Sequence, residues 1–312
     1  MRARGNAAVL SLLGALAAIQ PGLAQPAGEP QPAAADHRYT ISLASYVPIP
    51  GQVAGLLLKA RINGGAPLRM LLDSGATHVV VDSRAASRTA LSASSALVLV
   101  GLGTWPPSTV REGRAETVAV GDLEFRDCVV DVAPSRLSEG IDGVIPTALF
   151  SGFLLHLDLP AKTLELAPFP DGSGPRPPGF APFVAVKNLL FVPGVLNQTQ
   201  PGYVLLDTGA SYSAISRGVA RSLRSSLGEP VRMQGSAGEI EGERVQSGVR
   251  FQVAGREFRT DPVVALDLTT PSKYNGVEIA GLLGYPDLRN SVLTIDYRDS
   301  LVKIEPKAER RR

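Results

Sequence analysis

Short apolar runs, broken by glycine and proline, make up most of the chain after residue 38. β-Branched side chains are frequent in these runs, and the segments 155–159 and 292–297 alternate apolar and polar positions as half-buried strands do. Helical periodicity is confined to residues 83–93 and 217–227. The pattern therefore predicts a protein of the all-β class, made mostly of β-strands with a few short helices.

The same pattern occurs twice along the chain. Residues 70–77 (MLLDSGAT) and 204–211 (VLLDTGAS) are near copies, and a glycine follows the aspartate by 48 residues in both copies. Each copy ends in one of the two alternating segments. A duplication of this length predicts two related β lobes of barrel or sandwich type, at 39–166 and 180–306.

The N-terminal residues predict a secretory leader. Arg2 and Arg4 precede an apolar run at 7–19, and small residues lead up to a cleavage site after Ala24. The run is too short for a membrane-spanning helix, which needs roughly 20 apolar residues. Outside the lobes the sequence predicts four further segments: a signal peptide at 1–24, a disordered tether at 25–38, a Pro/Gly linker at 167–179 and a basic tail at 307–312.

Composition and charge exclude several classes of function. The net charge of +2 comes from the chain ends, because the chain without Arg2, Arg4 and 306–312 has a net charge of −3. The folded part therefore lacks the basic excess of a nucleic-acid-binding protein. The single cysteine, Cys128, excludes an internal disulfide and a multi-cysteine metal site, and the three histidines are scattered. The sequence predicts neither a metal site nor a cofactor.

Asp73 and Asp207 are the candidate catalytic residues. Three apolar residues precede each of them, which predicts a carboxylate on a tight loop at the end of a buried strand. A lone buried carboxylate is costly, but two lobes packed face to face would let the pair share one proton, leaving one base and one acid. The sequence supplies small neighbours suited to hydrogen bonding around such a pair: Ser74, Gly75, Thr77, Thr208, Gly209 and Ser211.

The two Asp-Ser/Thr-Gly motifs, followed in the second copy by Leu282-Leu283-Gly284, resemble the aspartic proteases, and more closely their retropepsin-like branch. The resemblance extends over both lobes. It implies two acid-protease-type β-barrel lobes related by a pseudo-two-fold axis, whose two aspartates activate a water molecule for attack on a peptide carbonyl. It also implies that Ser74 and Thr208 grip the opposite lobe through their hydroxyls.

The resemblance further implies flap hairpins over the cleft. Their distance from each aspartate makes these residues flap candidates: Gly101, Gly103, Trp105, Gly235 and Gly238. Trp105 is either an anchor of the lobe 1 flap or a surface aromatic residue. Lobe 1 departs from the family pattern at Pro146, which stands where lobe 2 has Gly284. This proline predicts a strained or reshaped loop behind Asp73.

We therefore predict a monomeric aspartic endopeptidase, periplasmic or secreted, that acts on peptides or proteins. No nucleic-acid partner and no stable membrane insertion are predicted. The alternative is a catalytically silent relative that binds peptides in the interlobe cleft, which Pro146 and the lack of a flap tyrosine between Asp73 and Gly121 favour. A glycosidase fits the two carboxylates but not their duplicated Asp-Ser/Thr-Gly setting. His78 is predicted to pack or lie at the surface, and Cys128 to be a buried apolar residue.

Overall fold

The structure of the protein is a computed structural model that describes residues 10–12, 17–18, 37–100, 109–134, 136–170, 178–235 and 238–307. Its first strands, in chain order, are β1 (Leu10–Leu12), β2 (Ala17–Ala18), β3 (Tyr39–Ser42), β4 (Ala44–Tyr46), β5 (Gly55–Ile62), β6 (Leu68–Asp73), β7 (Val79–Asp82), β8 (Ser92–Val100), β9 (Thr109–Val120), β10 (Leu123–Ala133), β11 (Gly143–Pro146), β12 (Leu154–Asp158) and β13 (Thr163–Ala167).

The remaining strands are β14 (Ala181–Pro182), β15 (Val184–Val186), β16 (Leu189–Leu196), β17 (Gln200–Asp207), β18 (Ser213–Ser216), β19 (Leu227–Gly235), β20 (Gly238–Val245), β21 (Val249–Val253), β22 (Arg256–Thr260), β23 (Val263–Leu266), β24 (Ile279–Gly284), β25 (Ser291–Asp296) and β26 (Leu301–Pro306). The helices are α1 (Ser83–Ala86), α2 (Arg217–Ser222), α3 (Thr269–Asn275), α4 (Tyr285–Leu288) and a 3₁₀ turn at Thr147–Phe150. None of the helices in the described ranges is both long and apolar enough to cross a membrane.

The helices predicted at 83–93 and 217–227 are shorter than expected. Asp82 and Ser216 cap their first turns, accepting hydrogen bonds from Ala85 N and Val219 N. The helices nevertheless end at Ala86 and Ser222, and the following residues enter β8 and β19. Pairing of these strands with β9 and β20 overrides the local helical preference.

Three sheets organise the described strands. Lobe 1 is built on a sheet of order β2-β8-β9-β10-β7-β11-β6-β5-β4. Lobe 2 is built on a sheet of order β1-β19-β20-β23-β18-β24-β17-β16-β21-β22, with β15 beside β16. The third sheet, of order β14-β26-β25-β12-β13-β3, takes strands from both halves of the chain. The fold is thus a mostly β, two-lobed one, as the sequence predicts.

The duplication appears in the topology of the two lobes. In lobe 1, β11 runs parallel to β6 and antiparallel to β7, and β7 runs parallel to β10. In lobe 2, β24 has the same relations to β17 and β18, and β18 runs parallel to β23. The strands that end in the two aspartates, β6 and β17, therefore occupy equivalent positions.

The third sheet joins the lobes. Its two central strands, β12 and β25, are the alternating segments predicted from the sequence, and they pair with each other in antiparallel register, with Leu157 opposite Leu293. The main hydrophobic core continues from lobe 1 through this sheet into lobe 2 and includes Phe150, Leu157, Leu293 and Phe251, each at most 1% exposed. Burial of this shared apolar surface fixes the lobes against each other.

We expect Leu293→Ala to lower the free energy of unfolding by roughly 2–5 kcal/mol, because it opens a cavity in the sheet that joins the lobes. Both lobes should lose stability in one transition, measured by chemical denaturation followed by circular dichroism. The control is Val47→Ala, since Val47 is 47% exposed. Equal stability of the two variants would contradict this role of the shared sheet.

Candidate active site

Two buried carboxyl groups lie where the lobes meet. Asp73 ends β6 and Asp207 ends β17, and both side chains are completely buried. The neighbouring parallel strands bring Pro146 opposite Asp73 and Gly284 opposite Asp207. Each aspartate thus lies at the end of a central strand, on the loop that carries its Asp-Ser/Thr-Gly motif.

Each carboxyl packs against the glycine of the other lobe. A Cβ atom added to Gly75 would lie 2.5 Å from Cγ of Asp207, and one added to Gly209 would overlap Cγ of Asp73. Glycine is therefore required at both positions because no larger residue leaves room for the opposite carboxyl group. This contact brings the two aspartates together across the lobe boundary.

Backbone N–H groups hold one oxygen of each carboxyl group. Gly75 N donates to Oδ1 of Asp73 at 2.6 Å, and Gly209 N and Ala210 N donate to Oδ1 of Asp207 at 3.0 and 2.8 Å. The other oxygen, Oδ2, is buried in both aspartates, and no N–H or O–H group of the described residues donates a hydrogen bond to it. Since a buried unpaired carboxylate oxygen is costly, a proton shared between the carboxyls is the least expensive arrangement.

The electrostatics of the pair follow from burial and proximity. Burial raises the pKa of Asp73 to about 6, while the hydrogen bond from Gly75 opposes the rise. Burial and the charge of Asp73 raise the pKa of Asp207 well above its ordinary value. Over a range of pH the pair therefore carries one proton and one negative charge, and the proton belongs to the pair.

Ser74 and Thr208 form a reciprocal grip across the lobe boundary. Ser74 N donates to Thr208 Oγ1 at 3.0 Å, and Thr208 N donates to Ser74 Oγ at 3.1 Å. The two hydroxyls in turn donate to the carbonyls of Leu206 and Leu72, at 2.8 and 3.0 Å. Four hydrogen bonds thereby fix the two motif loops in one mutual position.

The other predicted site residues fall into two groups. Thr77 and Ser211 are buried in the two motif loops. Gly235 and Gly238 are opposite each other at the end of the β19–β20 hairpin, so the structure places a hairpin at the predicted flap of lobe 2. The predicted flap residues of lobe 1, Gly101, Gly103 and Trp105, lie outside the described residues.

The strain expected at Pro146 is absent. Pro146 has φ −67° and ψ 142°, which is an ordinary conformation for proline. Lobe 2 needs glycine at the equivalent position, because a Cβ on Gly284 would lie 2.5 Å from the carbonyl oxygen of Tyr212. The loops behind the two aspartates therefore differ in detail, and each fits its own residue.

Two polar pairs near the motifs were not found from the sequence. The hydroxyls of Thr147 and Tyr297 are 2.7 Å apart, and this partly buried pair joins the residue after Pro146 to the residue after β25. His78 Nδ1 lies 3.3 Å from Oδ2 of the buried Asp131. Both pairs join residues distant in the chain, so sequence spacing gives no signal for them.

No cluster of three or more histidine, cysteine or acidic side chains suited to a metal ion occurs within the described ranges. Cys128 is buried, in agreement with its predicted packing role.

Comparison with known proteins identifies the class. A family model described as aspartyl protease matches residues 58–147 and 192–286, one segment in each lobe, which together exceed half of the chain. The chain belongs to the aspartyl protease family. The crystal structure of an aspartic proteinase from Irpex lacteus has the same fold, with a TM-score of 0.53 at 12% identity, over 86% of this chain and 97% of that chain. A search of curated proteins gave no match.

Removing either side of the grip should destabilise the protein. We expect Ser74→Ala and Thr208→Val each to lower the free energy of unfolding by about 1–3 kcal/mol, because each leaves buried backbone groups unpaired. The double variant should lose less than the sum of the two, since both act on one network. Ser87→Ala, at an exposed hydroxyl, is the control. Additive losses in urea denaturation would argue against a shared network.

The buried carboxyls should make stability depend on pH. Their pKa values are raised in the folded state, so the folded protein favours the protonated carboxyls. The stability that this preference contributes is fully present below about pH 4, where the carboxyls of the unfolded chain are protonated too, and it is lost as the pH rises through about 6. We therefore expect Asp73→Asn to be more stable than the wild type at pH 7, by roughly 1–3 kcal/mol. The difference should shrink near pH 4. Thermal denaturation across this range measures it, and a constant difference would contradict the raised pKa.

Proposed function

We propose that this protein is an aspartic endopeptidase that hydrolyses peptide bonds with a water molecule activated by Asp73 and Asp207. The observation that supports this most directly is the contact of the two buried carboxyls, each held by backbone N–H groups and packed on the glycine of the other lobe. Two carboxyls that share one proton supply a base and an acid at one place.

In this mechanism the two carboxyls have different roles. Either carboxyl can hold the shared proton; with Asp73 as the ionised one, its carboxylate accepts a proton from the attacking water. Asp207 holds the shared proton and donates it to the carbonyl oxygen of the peptide, which gives a tetrahedral gem-diol intermediate. Asp73 then gives its proton to the leaving nitrogen, the C–N bond breaks, and one gem-diol hydroxyl returns its proton to Asp207, so that the pair again holds one proton.

The substrate would lie between the lobes, over the two motif loops. We propose that the β19–β20 hairpin, with Gly235 and Gly238 at its end, closes over a bound peptide as a flap and keeps solvent water from the reaction. Because both carboxyls come from one chain, the enzyme is proposed to act as a monomer. The secretory leader and an extracytoplasmic location remain predictions from the sequence.

The decisive variants are Asp73→Asn and Asp207→Asn. Each should remove nearly all turnover of a diverse peptide mixture, because the two residues act as one unit, while the fold persists. Cut sites are measured by mass spectrometry, and peptide binding by fluorescence anisotropy. The control is Asp82→Asn, at a buried carboxyl that caps α1 and should leave turnover intact.

The wild-type rate should follow a bell-shaped pH profile with an optimum below neutrality, because both limbs report the carboxyl pair. Substantial activity in either folded Asn variant would disprove the dyad mechanism. Peptide binding without cleavage by the wild type would instead establish the silent binding protein.

A further inference from the structure

A chain of hydrogen bonds in lobe 2 leads from the neighbourhood of Asp207 to a second acidic residue. Gly284 is the strand partner of Asp207, and its N–H donates to Ser213 Oγ at 2.9 Å. Ser213 Oγ donates in turn to Oδ2 of Asp287 in α4, at 2.5 Å. Ser213 is 1% exposed, so this hydroxyl is a buried link between the backbone beside Asp207 and the carboxyl of Asp287.

We call Ser213, Gly284 and Asp287 the polar set of lobe 2, and lobe 1 has apolar residues at all three matching positions. Six positions after Asp73 stands Val79 where lobe 2 has Ser213, and Pro146 and Leu149 stand in the positions of Gly284 and Asp287. Proline lacks the N–H that Gly284 donates, valine lacks the oxygen that accepts it, and leucine lacks the carboxyl. The donor, the acceptor and the carboxyl of the set are therefore all absent from the matching positions of lobe 1.

The polar set holds the loop that binds the carboxyl of Asp207. Tyr285 N donates to the carbonyl of Ala210 at 2.8 Å, while Ala210 N donates to Oδ1 of Asp207 at 2.8 Å. Residues 210–213 are therefore tied at both ends to Gly284 and Tyr285. The packing is tight, because Gly284 has no room for a Cβ beside Ala210 and Tyr212.

Asp287 also lines a groove of about 780 Å³ between lobe 2 and the sheet that joins the lobes. Burial raises the pKa of Asp287, and its bond with Ser213 opposes the rise. The titratable or polar groups around it are Arg289 and Thr260 together with the groove residues Arg256, Glu257, Arg259, Asn290 and Lys307.

We propose that Ser213 and Asp287 are positioning residues that fix the 210–213 loop, and with it the N–H groups bound to Asp207, so that the two halves of the duplicated site are unequal. The proposal rests on the proposed function, because it assigns to Asp207 a support that Asp73 lacks. Neither residue touches the carboxyl pair, and both act through the backbone of Gly284 and Ala210.

Ser213→Ala tests the link without changing the charge. Turnover should fall at least tenfold with KM changed less than threefold, because the loop no longer holds Asp207 in its reactive position. The alkaline limb of the pH profile should move to higher pH by half a unit or more, since weaker N–H bonds stabilise the ionised form of Asp207 less. Ser213→Thr keeps the hydroxyl in a side chain shaped like Val79. Its turnover and its alkaline limb should therefore equal those of the wild type. Unchanged turnover and an unchanged pH profile in Ser213→Ala would overturn the proposal.

A second arm needs no turnover and therefore separates this proposal from the proposed function. Urea midpoints are measured for Asp207→Asn, Asp287→Asn and the double variant, and the shifts should not add, because the two residues act on one loop. Asp82→Asn, in lobe 1, should combine additively with Asp207→Asn. Coupling in the first pair would support the positioning role even if no peptide were cleaved, and additive shifts in both pairs would refute it.

Discussion

The contact between the carboxyls of Asp73 and Asp207 is the constraint on which the rest of the structure depends. Two buried acids can meet only if they share a proton and if the residues beside them leave room. Gly75 and Gly209 provide that room, and their N–H groups bind the carboxyl oxygens. The raised pKa values are the electrostatic consequence, because burial opposes the charge on both residues.

Such a contact requires two lobes in a fixed mutual position. The Ser74–Thr208 grip supplies this locally through four hydrogen bonds, and the six-stranded sheet supplies it over a longer distance through the pairing of β12 with β25. The Thr147–Tyr297 hydroxyl pair adds a partly buried polar link between the same halves. Packing in a continuous core then makes small displacements of one lobe costly, which keeps the carboxyls in contact.

The two half-sites are similar in sequence but differ in the residues behind each aspartate. Behind Asp207 the loop is held by Ser213 and Asp287, whereas behind Asp73 the equivalent positions hold Val79 and Leu149. In the proposed mechanism an acid and a base have different tasks, so two unequal supports suit one proton shared between two carboxyls. Pro146 is one of the three apolar residues at these positions in lobe 1, and its backbone conformation is an ordinary one for proline.

The sequence by itself determined the mostly β class, the duplication and the paired motifs, because strand periodicity and the Asp-Ser/Thr-Gly repeats are local properties of the chain. It overestimated α1 and α2, since strand pairing with distant partners ended both helices, and of the strained or reshaped loop that it predicted behind Asp73, the strain is absent at Pro146. Only the tertiary structure placed β12 beside β25, Thr147 beside Tyr297 and Asp287 within hydrogen-bonding distance of Ser213. Those contacts join residues 74 to 150 positions apart, and their choice depends on how the two lobes pack rather than on any local pattern.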